Sequence, residues 1–156
     1  GGATMDLGCY AIRLLRFLLD AEPEVVQAHA HCFTPQVDRW MAADLRFPNG
    51  VTGSFTCAFL SRKLIRITAR VTGDQGELRV INPILPQLFH RLYVHSANGK
   101  RTERLPSAST YINQLHAFVQ AVQSKIAPLT DGRDGVANMR VIDAVYAKAG
   151  LQPRGG

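Results

Sequence analysis

The sequence has few cysteines, and they show no pairing pattern. Its 156 residues include three, Cys9, Cys32 and Cys57, which lie far apart. An odd number of cysteines without a CxxC pair supports neither a disulfide framework nor a zinc knuckle, so we expect a reducing, cytoplasmic compartment. His29 and His31 share one face of a predicted strand, but no third ligand is evident and we expect no metal site.

Long apolar runs and runs of one charge are also missing. No stretch approaches about 18 apolar residues, which argues against a membrane-spanning helix. The net charge is +6, yet the basic residues are scattered, without a run of about five and without interleaved aromatic residues. A solvated basic surface, or attraction for an anionic cofactor or substrate, explains this charge better than a nucleic-acid-binding module. We expect neither a membrane nor a nucleic acid as partner.

A glycine-rich dinucleotide fingerprint is absent as well. No G-x-G-x-x-G follows a predicted strand, and no parallel strand–helix–strand unit precedes Asp6. We therefore expect this chain to bind a dinucleotide cofactor weakly or not at all. The composition is 46% hydrophobic and 19% charged, which is typical of a folded domain. The length fits one domain, and we predict a single domain over residues 1–156.

The hydrophobic pattern predicts a helix, then strands, then two helices. Residues 5–19 carry an apolar stripe at helical spacing and end before Pro23, which cannot continue a helix; the stripe consists of Gly8, Ala11, Ile12, Leu15, Leu18 and Leu19. A period of two residues predicts strands over residues 24–33, 37–47, 51–60, 64–71, 77–81 and 88–95, with a further short strand near 101–105. Helical spacing returns over residues 111–122 and 134–149, and Gly150 is typical of a helix end.

Short turns join the predicted strands. Pro48-Asn49-Gly50 and Asn98-Gly99 are hairpin signals, and Gly73-Asp74-Gln75-Gly76 is a similar turn. Strands joined so closely pair antiparallel, because a parallel return needs a long crossover. The sequence therefore predicts an α+β fold, with an open, mainly antiparallel sheet of about six strands and helices on one face.

The first predicted helix carries the clearest chemical signal. Asp6 and Tyr10 are four residues apart and share a face, which Arg13 and Phe17 continue opposite the apolar stripe. Gly8 inside a helix costs about 1 kcal/mol relative to alanine, which fits a backbone or a planar ligand coming close there. An alternative is that Asp6 only favours the helix N-terminus and that Tyr10 is a half-exposed surface aromatic.

Several segments resemble one enzyme family. Gly1-Gly2-Ala3-Thr4-Met5-Asp6-Leu7-Gly8-Cys9-Tyr10 resembles the GG-x-x-x-D-x-G-x-H/Y segment of the Gfo/Idh/MocA oxidoreductases. Residues 22–26, 47–53, 71–78, 111–118 and 138–144 resemble further parts of the same family in order: the entry to its first sheet strand, a hairpin, a G-x-x-G turn and two closing helices. The resemblance covers the whole chain. It implies the C-terminal substrate and oligomerisation domain, of the glyceraldehyde-3-phosphate-dehydrogenase-like type, without the N-terminal Rossmann domain.

The resemblance also implies residue roles. The position matching Tyr10 holds a histidine or tyrosine beside the substrate hydroxyl, and the position matching Asp6 orients it, so both are expected to be catalytic. Arg13, Asn113 and His116 are expected to bind substrate, and Gly8 to contact the cofactor. For Asn113 and His116 the alternative is a role at the helix cap or a solvent-exposed position. A phenol has an ordinary pKa near 10 and needs a neighbouring cation to act as a base near neutrality. The family supplies a lysine in a Glu-Lys-Pro segment that this chain does not contain.

The implied function is that of an NAD(P)-dependent oxidoreductase acting on a sugar, a polyol or a cyclic diol. NAD or NADP would serve the parent enzyme, and this chain alone would be inactive. The expected partners are a small-molecule substrate, the Rossmann domain and a second copy bound through the open sheet. The aromatic residues Phe33, Trp40, Phe55 and Phe59 suggest apolar groups on both sheet faces. The alternative is a free-standing dimeric binding or scaffold domain without catalysis.

Overall fold

The chain folds into two compact units. The computed structural model describes residues 1–59, 67–104 and 109–153. The first unit consists of residues 1–61 and 129–156, and the second of residues 62–128. The first unit is thus built from both ends of the chain.

The described residues form three α-helices and seven strands. In chain order they are a π-helical turn (Thr4–Gly8), α1 (Cys9–Leu19), β1 (Glu24–Thr34), β2 (Val37–Arg46), a short 3-10 turn (Pro48–Gly50), β3 (Thr52–Ala58), β4 (Thr68–Gly73), β5 (Gly76–Ile81), β6 (Arg91–Ser96), β7 (Gly99–Glu103), α2 (Thr110–Ser124) and α3 (Gly132–Lys148).

In the first unit, two helices cover one face of a three-stranded antiparallel sheet. The strand order is β1-β2-β3, and α3 packs against both β1 and α1. Strand alternation points one set of side chains toward the helices. The buried core is formed by Ala3, Ile12, Val25, Ala28, Met41, Ala43, Leu45, Phe47, Phe55, Cys57, Val141, Ile142, Val145 and Tyr146.

Local backbone conformation and capping define the end of α1 and both ends of α3. Asp20 takes a left-handed conformation with φ of 45° just after α1 and before Pro23. Asp131 caps the start of α3, because its carboxylate accepts the Asp134 amide at 3.0 Å. Gly150 has φ of +75° after the end of α3, as predicted for a C-terminal glycine.

The second unit contains a four-stranded antiparallel meander, in the order β4-β5-β6-β7, together with α2. Gly76 has φ of +142°, and a Cβ there would lie 2.0 Å from the His95 carbonyl oxygen, so only glycine fits this turn. Asn82 is buried and holds the following loop by donating to the carbonyls of Leu85 and Phe89 at 2.7 and 2.8 Å. None of the residues of α2 is buried.

The α+β class and the antiparallel pairing predicted from the sequence are confirmed. The described residues form seven strands in two sheets, where about six strands in one sheet were expected. Parts of the predictions over residues 51–60, 64–71 and 101–105 lie outside the described residues. The predicted apolar stripe of α1 was wrong at one position: Leu18 is 46% exposed, and the buried side chain in that part of the helix belongs to Arg16.

Candidate functional site

Asp6 and Tyr10 lie on the exposed side of the first helix. Asp6 is in the π-helical turn and Tyr10 follows in the first turn of α1, where it is 53% exposed. Gly8 and Ile12, on the other side, are buried. The structure thus places a carboxylate and a phenol on one accessible surface, in a local helix type that is rare and is found frequently at functional sites. Their catalytic roles stay predictions.

Gly8 is explained by packing inside the first unit. A Cβ at this position would lie 3.2 Å from Cys57 Sγ and 3.3 Å from both Phe55 Cε2 and Thr4 Cγ2. The close approach predicted for Gly8 is therefore made by side chains of β3 and of the π-helical turn. The expectation that Gly8 contacts a cofactor stays untested. The packing of Phe55, Cys57 and Thr4 is enough to explain a glycine at this position.

Arg13 is held by an ion pair. Its Nε donates to Asp134 Oδ2 at 2.7 Å, and its guanidinium carbon lies 5.5 Å from the centre of the Phe17 ring. Its side chain is 22% exposed. Arg13 therefore lies one turn beyond Tyr10 on the same helix. Its orientation is fixed by the ion pair, and its side chain is still accessible to solvent.

Arg16 is the residue that the hydrophobic pattern missed. It is 6% exposed, and its Nε and Nη2 donate to the two carboxylate oxygens of Glu22, both at 2.7 Å. Its Nη1 donates to Asp134 Oδ1 at 3.1 Å and to Asn138 Oδ1 at 3.3 Å. The spacing of four from Gly8 and Ile12 places position 16 on the buried side, which is a signal that a purely apolar count overlooks.

This network shifts two ionisation equilibria. The hydrogen bond from Arg16 is the main cause that lowers the pKa of Glu22, and the hydrogen bond to Glu22 is the main cause that raises the pKa of Arg16. Charge-assisted bidentate bonds of this type are strong and directional. The network therefore fixes α1 to the start of α3.

A shallow depression opens beside this network at the end of α1. Its lining combines Arg13 and Arg16 with three carboxylates and three apolar or aromatic side chains, namely Asp20, Glu22, Asp134, Phe17, Ala21 and Leu129. The carboxylates outnumber the arginines, so the depression does not favour an anionic ligand.

A second polar cluster, also missed from the sequence, is completely buried. Asp38 of β2 is 0% exposed and accepts hydrogen bonds from the Thr4 amide at 2.8 Å, the Thr4 hydroxyl at 2.7 Å and the Tyr146 hydroxyl at 3.0 Å. Its partners are 34 and 108 positions away in sequence. No local motif indicates such a pairing.

Burial makes two thiols of this unit, those of Cys9 and Cys57, less acidic. Burial raises the pKa of the Cys57 thiol to about 12, and burial is also the main cause that raises the pKa of Cys9. Cys9 Sγ lies 3.7 Å from the Asp6 carbonyl oxygen. Since the thiolate is the reactive form, these shifts argue against a nucleophilic role for either residue.

Asn113 and His116 lie on α2 in the second unit, and both are exposed. Asn113 donates its backbone amide to the Ser109 carbonyl at 3.0 Å, which is an ordinary bond of the first helical turn. Their expected role in substrate binding is untested and stays a prediction.

The histidines of β1 are surface residues. His29 and His31 are exposed, and the His31 ring lies 5.0 Å from the Trp40 ring on the neighbouring strand. Within residues 1–59, 67–104 and 109–153, no group of three or more His, Cys, Asp or Glu side chains comes together in a way that could hold a metal ion. In the same ranges, no helix combines the length and the apolar character needed to cross a membrane.

Curated proteins similar to this chain are sugar and diol dehydrogenases. D-xylose 1-dehydrogenase (NADP(+)) 2 of Haloferax volcanii is 26% identical over 149 residues, which are 96% of this chain and 46% of that protein. Trans-1,2-dihydrobenzene-1,2-diol dehydrogenase of Mus musculus is 35% identical over 81 residues, which are 51% of this chain and 24% of that protein. The chain spans less than half the length of these two relatives.

Solved structures similar to this chain have the same fold. The aldose-aldose oxidoreductase from Caulobacter crescentus complexed with glycerol superposes with a TM-score of 0.85 at 24% identity, over 96% of this chain and 45% of that one. A variant of a 3-ketoreductase from Actinomadura kijaniata, in complex with TDP-benzene and NADP, superposes with a TM-score of 0.82 at 25% identity, over 95% of this chain and 48% of that one.

The family profile agrees with these likenesses. The sequence profile of the GFO/IDH/MocA C-terminal domain matches residues 1–79, which include the π-helical turn, α1 and the whole three-stranded sheet. The resemblance read from the sequence is confirmed, and the chain belongs to the GFO/IDH/MocA family, with the fold of that family's C-terminal domain.

Proposed function

We propose that this chain is the substrate-facing domain of an NAD(P)-dependent oxidoreductase that acts on a hydroxyl or carbonyl group of a sugar, a polyol or a cyclic diol. The observation that carries the proposal is the exposed pair of Asp6 and Tyr10 in the segment that matches the family profile. The substrates named for the relatives from Haloferax volcanii and Mus musculus, a pentose and a cyclic diol, support the substrate class.

The described part of the chain does not fit a dinucleotide cofactor by itself. All the strand pairs in residues 1–59 and 67–104 are antiparallel, whereas a dinucleotide fold needs parallel strands joined by a helix. The space beside Gly8 is occupied by the side chains of Phe55 and Cys57. We therefore assign NAD or NADP to a Rossmann domain outside this sequence and expect the chain alone to bind it weakly.

The residues of this chain would transfer the proton of the substrate hydroxyl. Oxidation of an alcohol removes hydride from carbon, which a nicotinamide accepts, and a proton from oxygen. In this proposal Tyr10 exchanges that proton through its hydroxyl, and Asp6, one turn earlier, orients it. Arg13 is fixed by Asp134 one turn further on and would hydrogen-bond another substrate oxygen. The role of Asn113 and His116 of α2 in substrate binding stays a separate prediction.

The test is steady-state oxidation of pentoses, hexoses and cyclic diols with NAD or NADP by the enzyme that joins this chain to a family Rossmann domain. Tyr10→Phe removes only the hydroxyl, so we expect kcat to fall by about 100-fold or more while KM changes less than about threefold. Asp6→Asn should lower kcat by about tenfold.

Tyr93→Phe is the matched control, because Tyr93 is a partly exposed tyrosine of β6 outside the proposed site. Its kinetic constants should equal those of the unmodified enzyme. Full activity of Tyr10→Phe would contradict the assignment of the proton to Tyr10. Absence of any nicotinamide-linked turnover, with a stable dimer, would favour the binding or scaffold domain instead.

A further inference from the structure

The buried Asp38 cluster lies directly beneath the segment that carries Asp6 and Tyr10. Asp38 belongs to β2, yet its carboxylate accepts both donors of Thr4, the first residue of the π-helical turn. The Thr4 amide is one of the helix N-terminal donors that have no partner within the helix. Asp38 therefore caps this helix from another element, in the place that a neighbouring Ser or Asp would ordinarily take.

Gly2 locks the same contact sterically. A Cβ at Gly2 would lie 1.8 Å from Asp38 Oδ1 and 2.9 Å from the Asp38 carbonyl oxygen, so the carboxylate packs directly on the glycine backbone. Asp38 thus fixes two positions of the chain, Gly2 by contact and Thr4 by two hydrogen bonds.

The two fixed positions hold the two proposed catalytic residues through the backbone. The Gly2 carbonyl accepts the Asp6 amide at 3.1 Å. The Thr4 carbonyl accepts the amide of Cys9, the residue before Tyr10. This bond spans five residues and is the reason that the turn is π-helical and not α-helical. A displacement of Thr4 would therefore be passed on to Tyr10.

Tyr146 completes the cluster from the other end of the chain. Its hydroxyl donates to Asp38 Oδ1, and its side chain is 0% exposed. With one carboxylate oxygen bonded to Thr4 and the other to Tyr146, Asp38 accepts on both sides. An asparagine has one accepting oxygen and would turn an amide donor toward one of these donors.

We propose that Asp38 is a positioning residue, which sets the geometry of the Asp6–Tyr10 pair by holding Gly2 and Thr4. The role of the pair itself rests on the proposed function. Asp38 does not touch the proposed substrate surface, because it is completely buried. Its effect would reach the pair only through the π-helical turn.

The first test uses amide hydrogen exchange of the 156-residue chain. Thr4→Val removes the hydroxyl donor and keeps the side-chain shape, and Thr4→Ser keeps the hydroxyl. We expect exchange at residues 5–10 to become about tenfold faster in Thr4→Val and in Asp38→Asn, while exchange at core residues such as Leu45 and Val145 changes less than about threefold. Thr4→Ser should keep the exchange rates at residues 5–10 close to those of the unmodified chain.

The matched control is Thr56→Val, since Thr56 is an exposed threonine of β3 away from the cluster. It should leave exchange at residues 5–10 unchanged. Uniformly faster exchange over the whole first unit in every variant would overturn the proposal and make Asp38 a general stability residue. Unchanged exchange at residues 5–10 would overturn it as well.

The second test uses the enzyme that joins this chain to a family Rossmann domain. Thr4→Val should lower kcat by about tenfold with KM nearly unchanged, and Thr4→Ser should restore kcat. Faster exchange at residues 5–10 with unchanged kcat would overturn the positioning role. If Tyr10→Phe also retained full activity, the proposed function would fail separately from this inference, because the exchange result does not depend on turnover.

Discussion

At several positions of the first unit, contacts between distant parts of the chain restrict which residue type fits. Gly2, Gly8 and Asp38 each occupy a position that no other residue type fits well. The sequence indicated that Gly8 needs a close neighbour, because glycine inside a helix is unfavourable. It did not indicate that the neighbours are Phe55 and Cys57, since their identity depends on the packing of β3 beneath the helix.

Two helical glycines give a matched prediction at this scale. Gly8→Ala places a Cβ 3.2–3.3 Å from three side-chain atoms, and we expect the strain to outweigh the gain in helix propensity and to lower the free energy of unfolding by about 1 kcal/mol. Gly135→Ala, in α3 with open space around it, should raise the free energy of unfolding by about 0.5–1 kcal/mol. Urea denaturation of the chain measures both.

The opposite signs are the informative result, because both substitutions add one methyl group to a helix. Equal stabilisation by the two alanines would show that Phe55 and Cys57 move aside without cost. The packing explanation for Gly8 would then be wrong.

At the scale of elements, the sequence predicted the helices and strands well and their polar contacts poorly. Periods of 3.6 and 2 residues fix where α1, α3 and the strands lie, since the periods follow from backbone geometry. The same counting placed Leu18 inside and ignored Arg16, because a buried arginine is stable only when partners such as Glu22 and Asp134 surround it. Those partners come from other elements, so hydrophobic periodicity cannot reveal them.

The Arg16 network gives a prediction for the junction of α1 and α3. Arg16→Met keeps an apolar stem but removes the donors to Glu22, Asp134 and Asn138, so we expect the free energy of unfolding to fall by about 2–4 kcal/mol. Arg133→Met is the control, because Arg133 is 91% exposed and pairs with Asp131 at the surface. It should change the free energy of unfolding by less than about 0.5 kcal/mol.

The pH dependence of stability provides an independent measurement of the same network. Arg16 lowers the pKa of Glu22 in the folded chain. The stabilisation from this pair is therefore complete above the ordinary glutamate pKa of about 4.3 and is lost as the pH falls through the lowered value. Glu22→Gln should weaken the acid-induced loss of stability below about pH 4.5. An unchanged acid limb in thermal unfolding would contradict the assignment.

At the scale of the whole molecule, the sequence predicted the family and the fold class, because ordered turn and helix segments span the entire chain. The division into two units was not predicted, since composition and length are compatible with one core. The buried hydrophobic core of the described residues lies entirely in the first unit. The described part of the second unit instead exposes large apolar side chains, among them Tyr111, Leu115 and Phe118 of α2.

Self-association is the prediction that belongs to this scale. Phe33 and Phe59 of the first unit are 51% and 42% exposed, which supports the homodimer through the sheet that the sequence predicts, whereas Phe55 is buried. Sedimentation equilibrium at micromolar concentration should give twice the chain mass. Phe33→Ser together with Phe59→Ser should shift the mass toward the monomer, and Val26→Ser, at a 39% exposed position of β1, serves as the single-site comparison. A monomeric mass of the unmodified chain would contradict the dimer.

The contact between Asp38 and Tyr146 has a consequence for biosynthesis. Synthesis proceeds from the N-terminus, so β1, β2 and β3 leave the ribosome early, while α3 follows only after the complete second unit. A nascent chain that has passed residue 38 but has not reached residue 146 contains Asp6, Tyr10 and Asp38. It lacks the Tyr146 hydroxyl and the complete helix α3, one of the two helices that cover the sheet. The first unit therefore reaches its final packing only after α3 has been synthesised, and its apolar sheet face is a natural target for chaperones until then.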